Sequence, residues 1–374
     1  MTTLDLRHTP GQLKLSATFT TTTLGTGPRR LAVAWQLAEP QWSLPPRTVL
    51  PAVQPLPVTV NYHLNKNCNY GCRHCYAVFD DAPIRIGAML PREEMFRVVA
   101  AVAAAPVPRS GVRRKLTFAG GEPTLVPWLP ELIASAKESG LVTNLVTNGS
   151  RLSREYLDRL AGHLDWLTWS LDALDDDTNR RIGRADKRGQ TLNPLAVLHL
   201  ADHARHRGTR LKVNTVVNRH NHATDFSEFL LRLQPERWKI LQVMPVAGQN
   251  DAHFEVSRCG SGEFTQFVDR HRHLEQHGIR LVPESVEAIR GSYAMIDPHG
   301  RFFDSAGGGH RYSAPILDVG LAAAFSQVSF DPVKFLHRGG DYDFTTASAG
   351  RVQGPVVSRP SADVREEAGL VLPV

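Results

Sequence analysis

From residue 58 onward the chain switches its hydrophobic period again and again, and that alternation limits the folds open to it. Short apolar runs with the two-residue period of a strand appear at 58–62, 115–118, 142–147, 166–171, 211–217 and 238–244. Helical spacing fills the gaps, over 91–105, 130–139, 153–162, 191–207 and 225–233. Such alternation predicts an α/β fold with a parallel sheet. Polar motifs follow the strand runs, so the functional edge is expected at the carboxyl ends of the strands. Six βα units fall short of a closed TIM barrel.

Three of the four cysteines, Cys68, Cys72 and Cys75, lie within eight residues just after the first strand run, and Tyr76 follows the last of them. Spacings of three and then two residues, with that aromatic, point to a [4Fe–4S] cluster held through three of its irons. A cluster with four thiolates mainly moves electrons. An open iron can chelate the amino and carboxylate groups of a small molecule. The pattern resembles the radical S-adenosylmethionine (SAM) superfamily. That resemblance implies a partial (β/α)6 TIM barrel, a [4Fe–4S] cluster with SAM as cofactors, and cleavage of SAM to methionine and a 5′-deoxyadenosyl radical. The alternative is zinc, which takes four ligands; Cys259 or His74 would then supply the fourth.

Composition excludes several other classes. No apolar run approaches the roughly 18 residues of a membrane span, and the first residues lack a basic segment followed by an apolar one. Four cysteines, three of them clustered, do not make a disulfide framework. A cytoplasmic protein without a membrane partner is expected. The net charge of +6 suits an anionic ligand, but the positives are scattered, without the basic stripe of a nucleic-acid binder. Residues 1–56 read as an N-terminal β-hairpin extension, with alternation at Leu13–Phe19 and Leu31–Leu37, and a Pro-rich linker. Residues 57–250 read as the barrel, 251–344 as a C-terminal substrate-covering region, and 345–374 as a flexible tail.

Gly120-Gly121-Glu122-Pro123 closes the second strand run. Glycines there let the backbone come close to a ligand, and the superfamily's matching motif holds the SAM amino group. Asn148, Ser170, Asp172 and Arg184 fall at or just past later strand ends, where similar enzymes bind the SAM ribose and carboxylate. Asp172 could instead cap the helix near 175–182. Lys212 and Asn214 are two apart on one strand and share a face. A lysine inside a barrel is costly unless an anion meets it, so this pair points to a phosphate site; a lysine at a frayed strand end is the alternative.

The run VNYHLNKNCNYGCRHCY at 60–76 narrows the resemblance to the viperin family. KLTFAGGEP, VTNGS, LKVNTVVNRHN, ERWKILQ, LVPES, ILDVG and FLHRGGDY follow in order, over about residues 57–342. The chain is most similar to soluble, prokaryotic viperins. The family converts a ribonucleoside triphosphate, best known as CTP, to its 3′-deoxy-3′,4′-didehydro analogue, a chain terminator for viral polymerases. By this resemblance Asn61, His63, Lys115, Lys212, Asn214, Arg237, Lys239 and Arg301 are substrate-side residues. Tyr293 is a candidate proton or hydrogen donor, with a core aromatic hydroxyl as the alternative. Tyr76, Gly120, Gly121, Glu122, Asn148, Ser170 and Arg184 are expected on the cofactors, and Glu284 is expected to be structural. The expected partners are a nucleoside triphosphate and a reductant such as flavodoxin or ferredoxin. The base, CTP against UTP or GTP, and the oligomeric state are left open, as is another radical SAM reaction.

Overall fold

The computed structural model describes residues 54–79 and 89–345, which belong to one compact unit. The expected N-terminal hairpin and C-terminal tail lie outside the described residues.

Six strands form in the order expected: β1 (Thr59–His63), β2 (Lys115–Ala119), β3 (Val142–Thr147), β4 (Trp166–Ser170), β5 (Arg210–Val217) and β6 (Arg237–Gln242). Each pairs in parallel with the next. The crossovers are helical: α1 (Arg92–Ala104), α2 (Leu129–Glu138), α3 (Arg154–Leu160), α4 (Asp176–Arg181), α5 (Pro194–His206) and α6 (Ser227–Leu233). In α1, Met95, Val98, Val99 and Val102 form one buried stripe at helical spacing, and Glu93 and Glu94 sit in the first turn against the helix dipole.

Region 251–344, expected as a substrate-covering region, is built into the sheet itself. It adds four strands to the same sheet: β7 (Arg280–Glu284), β8 (Ala294–Ile296), β9 (Arg301–Asp304) and β10 (Arg311–Pro315). β7 extends the parallel run beyond β6, and β8 pairs in parallel with the free edge of β1. β9 and β10 then turn back antiparallel. The sheet order is β10-β9-β8-β1-β2-β3-β4-β5-β6-β7, open between its two ends.

The two faces of the strands have opposite chemistry. One face, including Val60, Leu116, Phe118, Leu145, Leu167, Val213 and Ile240, joins the helices in the main apolar core. The other lines a single cavity with residues from β1 to β6, β8 and β9, so the sheet wraps around it as a partial barrel. The period-two pattern thus sends apolar side chains outward to the helices and polar ones inward. No helix among the described residues is long and apolar enough to cross a membrane.

Candidate active site

The cavity has a volume of about 360 Å³. Its upper rim is the loop after β1, which carries Cys68, Cys72 and Cys75, and all three line the cavity. Two glycine motifs hold this loop in place. On one side Gly121 N donates to Asn65 O and Glu122 N to Asn67 O, each at 2.8 Å. A Cβ on Gly121 would sit 2.1 Å from Asn67 O. On the other side Gly71 N donates to Gly183 O at 3.1 Å, and a Cβ on Gly183 would sit 2.2 Å from Gly71 O. The glycines therefore permit close approach of another backbone segment, not only of a ligand.

Glu122 lines the cavity, but its carboxylate is largely used internally. Oε1 accepts from Thr124 N (3.1 Å), Thr124 Oγ1 (2.7 Å) and Thr147 Oγ1 (2.7 Å), and Oε2 from Asn148 N (2.8 Å). It ties the turn after β2 to the end of β3. Asn148 in turn points Nδ2 at Asn69 Oδ1 (2.9 Å) and Cys68 Sγ (3.9 Å).

Asp172 is not a helix cap. Asp175 fills that place, accepting from Thr178 N at 2.8 Å. Asp172 Oδ2 instead meets Arg184 Nη1 at 3.0 Å and His74 Nε2 at 3.2 Å, while Oδ1 accepts from Val216 N at 2.7 Å. Burial would raise this carboxyl, yet Arg184 and His74 outweigh it and hold it down at about 2. Arg184 also donates to Ser170 O (2.6 Å) and points Nη1 at Cys72 Sγ (3.8 Å). His74, the candidate fourth zinc ligand, is thus committed to Asp172, and Cys259 is buried in the apolar core. Among the described residues no three His, Cys, Asp or Glu side chains gather around a single ion.

Near Cys75, Tyr76 Oη and His63 Nε2 are 3.3 Å apart, and the His63 ring packs edge-on against Tyr76, Phe79 and Phe303. Burial first, and His310 second, push the His63 pKa down to about 3, so the imidazole is neutral. Its Nδ1 is buried without a partner.

The opposite end of the cavity is cationic. Lys115 opens β2 and Arg237 opens β6, while Lys212 and Lys239 are the third residues of β5 and β6. All four line the cavity together with Asn61, Asn214 and Tyr293. Lys212 and Asn214 do share the inner face, and Asn214 Oδ1 is buried without a partner. No hydrogen bond reaches Lys212 Nζ among the described residues. Burial, then the charges of Lys239, Lys115 and Arg237, lower its pKa well below the usual value. Lys115 is lowered likewise, by burial and then by Lys239, Arg237 and Arg338.

Arg338 and Tyr342 complete this end, and sequence reasoning missed both as site residues. They follow the helix Pro332–His337, whose N-terminus is capped by Asp331 through Val333 N and Lys334 N. The segment after it crosses the amino-terminal ends of the strands: Thr59 Oγ1 donates to Gly340 O (3.2 Å) and Trp166 Nε1 to Phe344 O (3.0 Å). Lys115 Nζ donates to Tyr342 Oη at 2.5 Å, and the Arg237 guanidinium lies 3.7 Å from the Tyr342 ring centroid. The RGGDY run at 338–342, an Arg and a Tyr flanking a flexible pair, was the available signal.

Glu284 is buried behind this cluster. Its Oε1 lies 2.7 Å from Lys239 Nζ and 3.4 Å from Arg338 Nη1, and Tyr293 Oη donates to its Oε2. Lys239 Nζ also donates to Tyr293 Oη at 2.7 Å. Burial brings Lys239 down to about 8, against the pull of Glu284. Arg301, expected on the substrate side, pairs with Asp297 in the ligand-free protein. It lies outside the cavity lining, with Nε and Nη2 on Asp297 Oδ2 at 2.9 and 2.6 Å. Its place in β9, antiparallel to β8, turns it to that aspartate.

A family model described as the radical SAM superfamily matches residues 62–233. Over 297 residues the chain is 42% identical to an S-adenosylmethionine-dependent nucleotide dehydratase of Lacinutrix mariniflava, covering 79% of this chain and 60% of that protein. It therefore spans about three fifths of that relative's length. A protein of Flammeovirga pacifica with the same description is 37% identical over 76% of this chain and 96% of its own length. Among solved structures, Streptococcus suis SuiB bound to its precursor peptide SuiA superposes with a TM-score of 0.57 at 15% identity, covering 76% of this chain and 67% of that one. That likeness is one of fold.

Proposed function

Because this chain belongs to the radical SAM superfamily and, within it, to the viperin family, we propose that it converts a ribonucleoside triphosphate to its 3′-deoxy-3′,4′-didehydro analogue. CTP is the expected substrate. The reaction removes the C4′ hydrogen, expels the 3′-hydroxyl as water and closes with one electron and one proton. The product is a chain-terminating nucleotide, made in the cytoplasm with a flavodoxin or ferredoxin as reductant.

One observation carries this reading. A single cavity has three cysteines at one end and Lys115, Lys212, Arg237, Lys239 and Arg338 at the other. A triphosphate needs several converging cations and donors, and its ribose would then lie between the two ends.

The residues at the rim fit a [4Fe–4S] cluster with SAM. Cys68, Cys72 and Cys75 would ligate it, and N–H donors already face their sulfurs: Tyr70 N on Cys68 at 3.4 Å and Arg184 on Cys72 at 3.8 Å. Such donors suit thiolates bound to a cluster. Gly120, Gly121, Asn148, Ser170 and Tyr76 line the space beside them for SAM. When bound, these cofactors supply reductive cleavage of SAM and a 5′-deoxyadenosyl radical. The protein's part is to bind, orient and exclude water. Lys115, Lys212, Arg237 and Arg338 hold the phosphates, and Asn61 and Asn214 offer amides to the sugar. Tyr293 has a proton to give at Oη, with Lys239 and Glu284 fixing its position.

The test is an anaerobic assay of the reconstituted full chain with SAM and dithionite, run separately with CTP, UTP, GTP and ATP. The expected result is 5′-deoxyadenosine and a nucleotide lighter by one water with CTP. If none of the four raises 5′-deoxyadenosine above the substrate-free level, the reading fails.

A further inference from the structure

We infer that the cavity takes its triphosphate as the metal-free anion, so that magnesium competes with the protein for the nucleotide. The inference rests on the function proposed above and concerns the form of the substrate.

Nucleotide sites that bind magnesium with the phosphates usually contribute one or two carboxylates to the ion. Among the described residues the phosphate end of this cavity offers none. The strongest influences on Lys115, burial apart, are the charges of Lys239, Arg237, Arg338 and Arg210, all cations. Among the described residues Glu284 acts on Lys212, Arg237 and Lys239, and it is committed: Lys239, Arg338 and Tyr293 take both of its oxygens. Glu236 is paired with Arg210 at 2.6 Å. Glu284 lies behind the cavity wall, and three carboxylates line it among the described residues, Glu122, Asp172 and Asp304. Glu122 and Asp172 follow β2 and β4 at the cysteine end, bound to Thr147 and Arg184. Both oxygens of Asp304 accept backbone N–H groups, of Ala306 and Ser329, each at 2.9 Å.

Charge counting agrees. Five cations, Lys115, Lys212, Arg237, Lys239 and Arg338, less the one carboxylate of Glu284, leave a net of four positive charges when all are ionised. A nucleoside triphosphate near neutral pH carries about four negative charges, one on each inner phosphate and about two on the last. The protein alone neutralises it. A divalent cation added there would overshoot and face Lys212, which has no carboxylate partner of its own, at close range.

The test measures binding of CTP and of inorganic tripolyphosphate to the reconstituted full chain by calorimetry, at constant ionic strength, in EDTA and over a magnesium series. The expected result is tightest binding of both ligands in EDTA, with apparent affinity falling at least ~10-fold as magnesium complexes the ligand. Tripolyphosphate, which lacks base and sugar, locates the effect at the phosphate end. Binding only when magnesium is present, or an affinity indifferent to magnesium, overturns the inference and leaves the nucleotide reading standing. No binding in either arm overturns both.

Discussion

Lys115 Nζ and Tyr342 Oη lie 2.5 Å apart, although 227 positions separate the two residues in the chain. The tyrosine ring also faces the Arg237 guanidinium at 3.7 Å. One side chain from the C-terminal segment therefore positions two cations that belong to separate barrel strands. Without it both could turn toward solvent at the open end of the barrel.

Tyr342→Ala should therefore weaken triphosphate binding by about 10-fold, the sum of one hydrogen bond and one cation–π contact at ~1 kcal/mol each, less what the phosphates recover. Titration calorimetry with CTP reads this directly. SAM cleavage in the absence of nucleotide should not change, because the cysteine loop is at the other end of the cavity.

Lys212→Met should stabilise the ligand-free protein while removing most triphosphate affinity. Among the described residues no hydrogen bond reaches its buried Nζ, and burial with the charges of Lys239, Lys115 and Arg237 outweighs Glu284 and lowers its pKa in the fold. A lysine with a lowered folded pKa costs stability at every pH below its ordinary value. Removing it should raise Tm by a few degrees, for a gain on the order of 1–3 kcal/mol. A lower Tm for the variant would show that Lys212 is not strained by its surroundings.

Binding should weaken as pH rises above about 8, where Lys239 titrates in the empty cavity. The phosphates favour its charged form, so its pKa rises toward the ordinary 10.5 in the complex. Between those two values binding takes up a proton, and affinity falls with increasing pH. Glu284 faces the ammonium from β7 and Arg338 from the C-terminal segment, with Arg237 beside it in β6. Calorimetry in two buffers of different ionisation enthalpy would detect the proton; an uptake of zero at pH ~8.5 would contradict the assignment.

Gly121→Ala should lower the iron content of reconstituted protein more than it lowers helix content. The added methyl would stand 2.1 Å from Asn67 O, so the cysteine loop must move away from β2. Cys68, a proposed cluster ligand, is next in sequence to that contact. Iron analysis alongside far-UV circular dichroism separates displacement of the loop from unfolding.

Much was legible in the chain itself because it depends on short-range periodicity. Alternation over 58–244 gave the six parallel strands and their order. The same two-residue period placed Lys212 and Asn214 on one face, and the cysteine spacing placed three thiols in one loop. Those features need only local geometry, in which side chains two apart on a strand point the same way.

Only tertiary structure decided which charged groups meet. Asp172 is paired with Arg184 and His74 instead of capping a helix, and Arg301 is paired with Asp297. Arg338 and Tyr342 enter the site because the segment after Pro332–His337 returns across the amino-terminal ends of strands more than two hundred residues earlier. No periodicity encodes such a meeting. A strand's buried and exposed faces are set by side chains two apart in sequence. The partner of a buried charge is set by whichever opposite charge or donor the finished fold brings within reach, and burial makes that pairing obligatory.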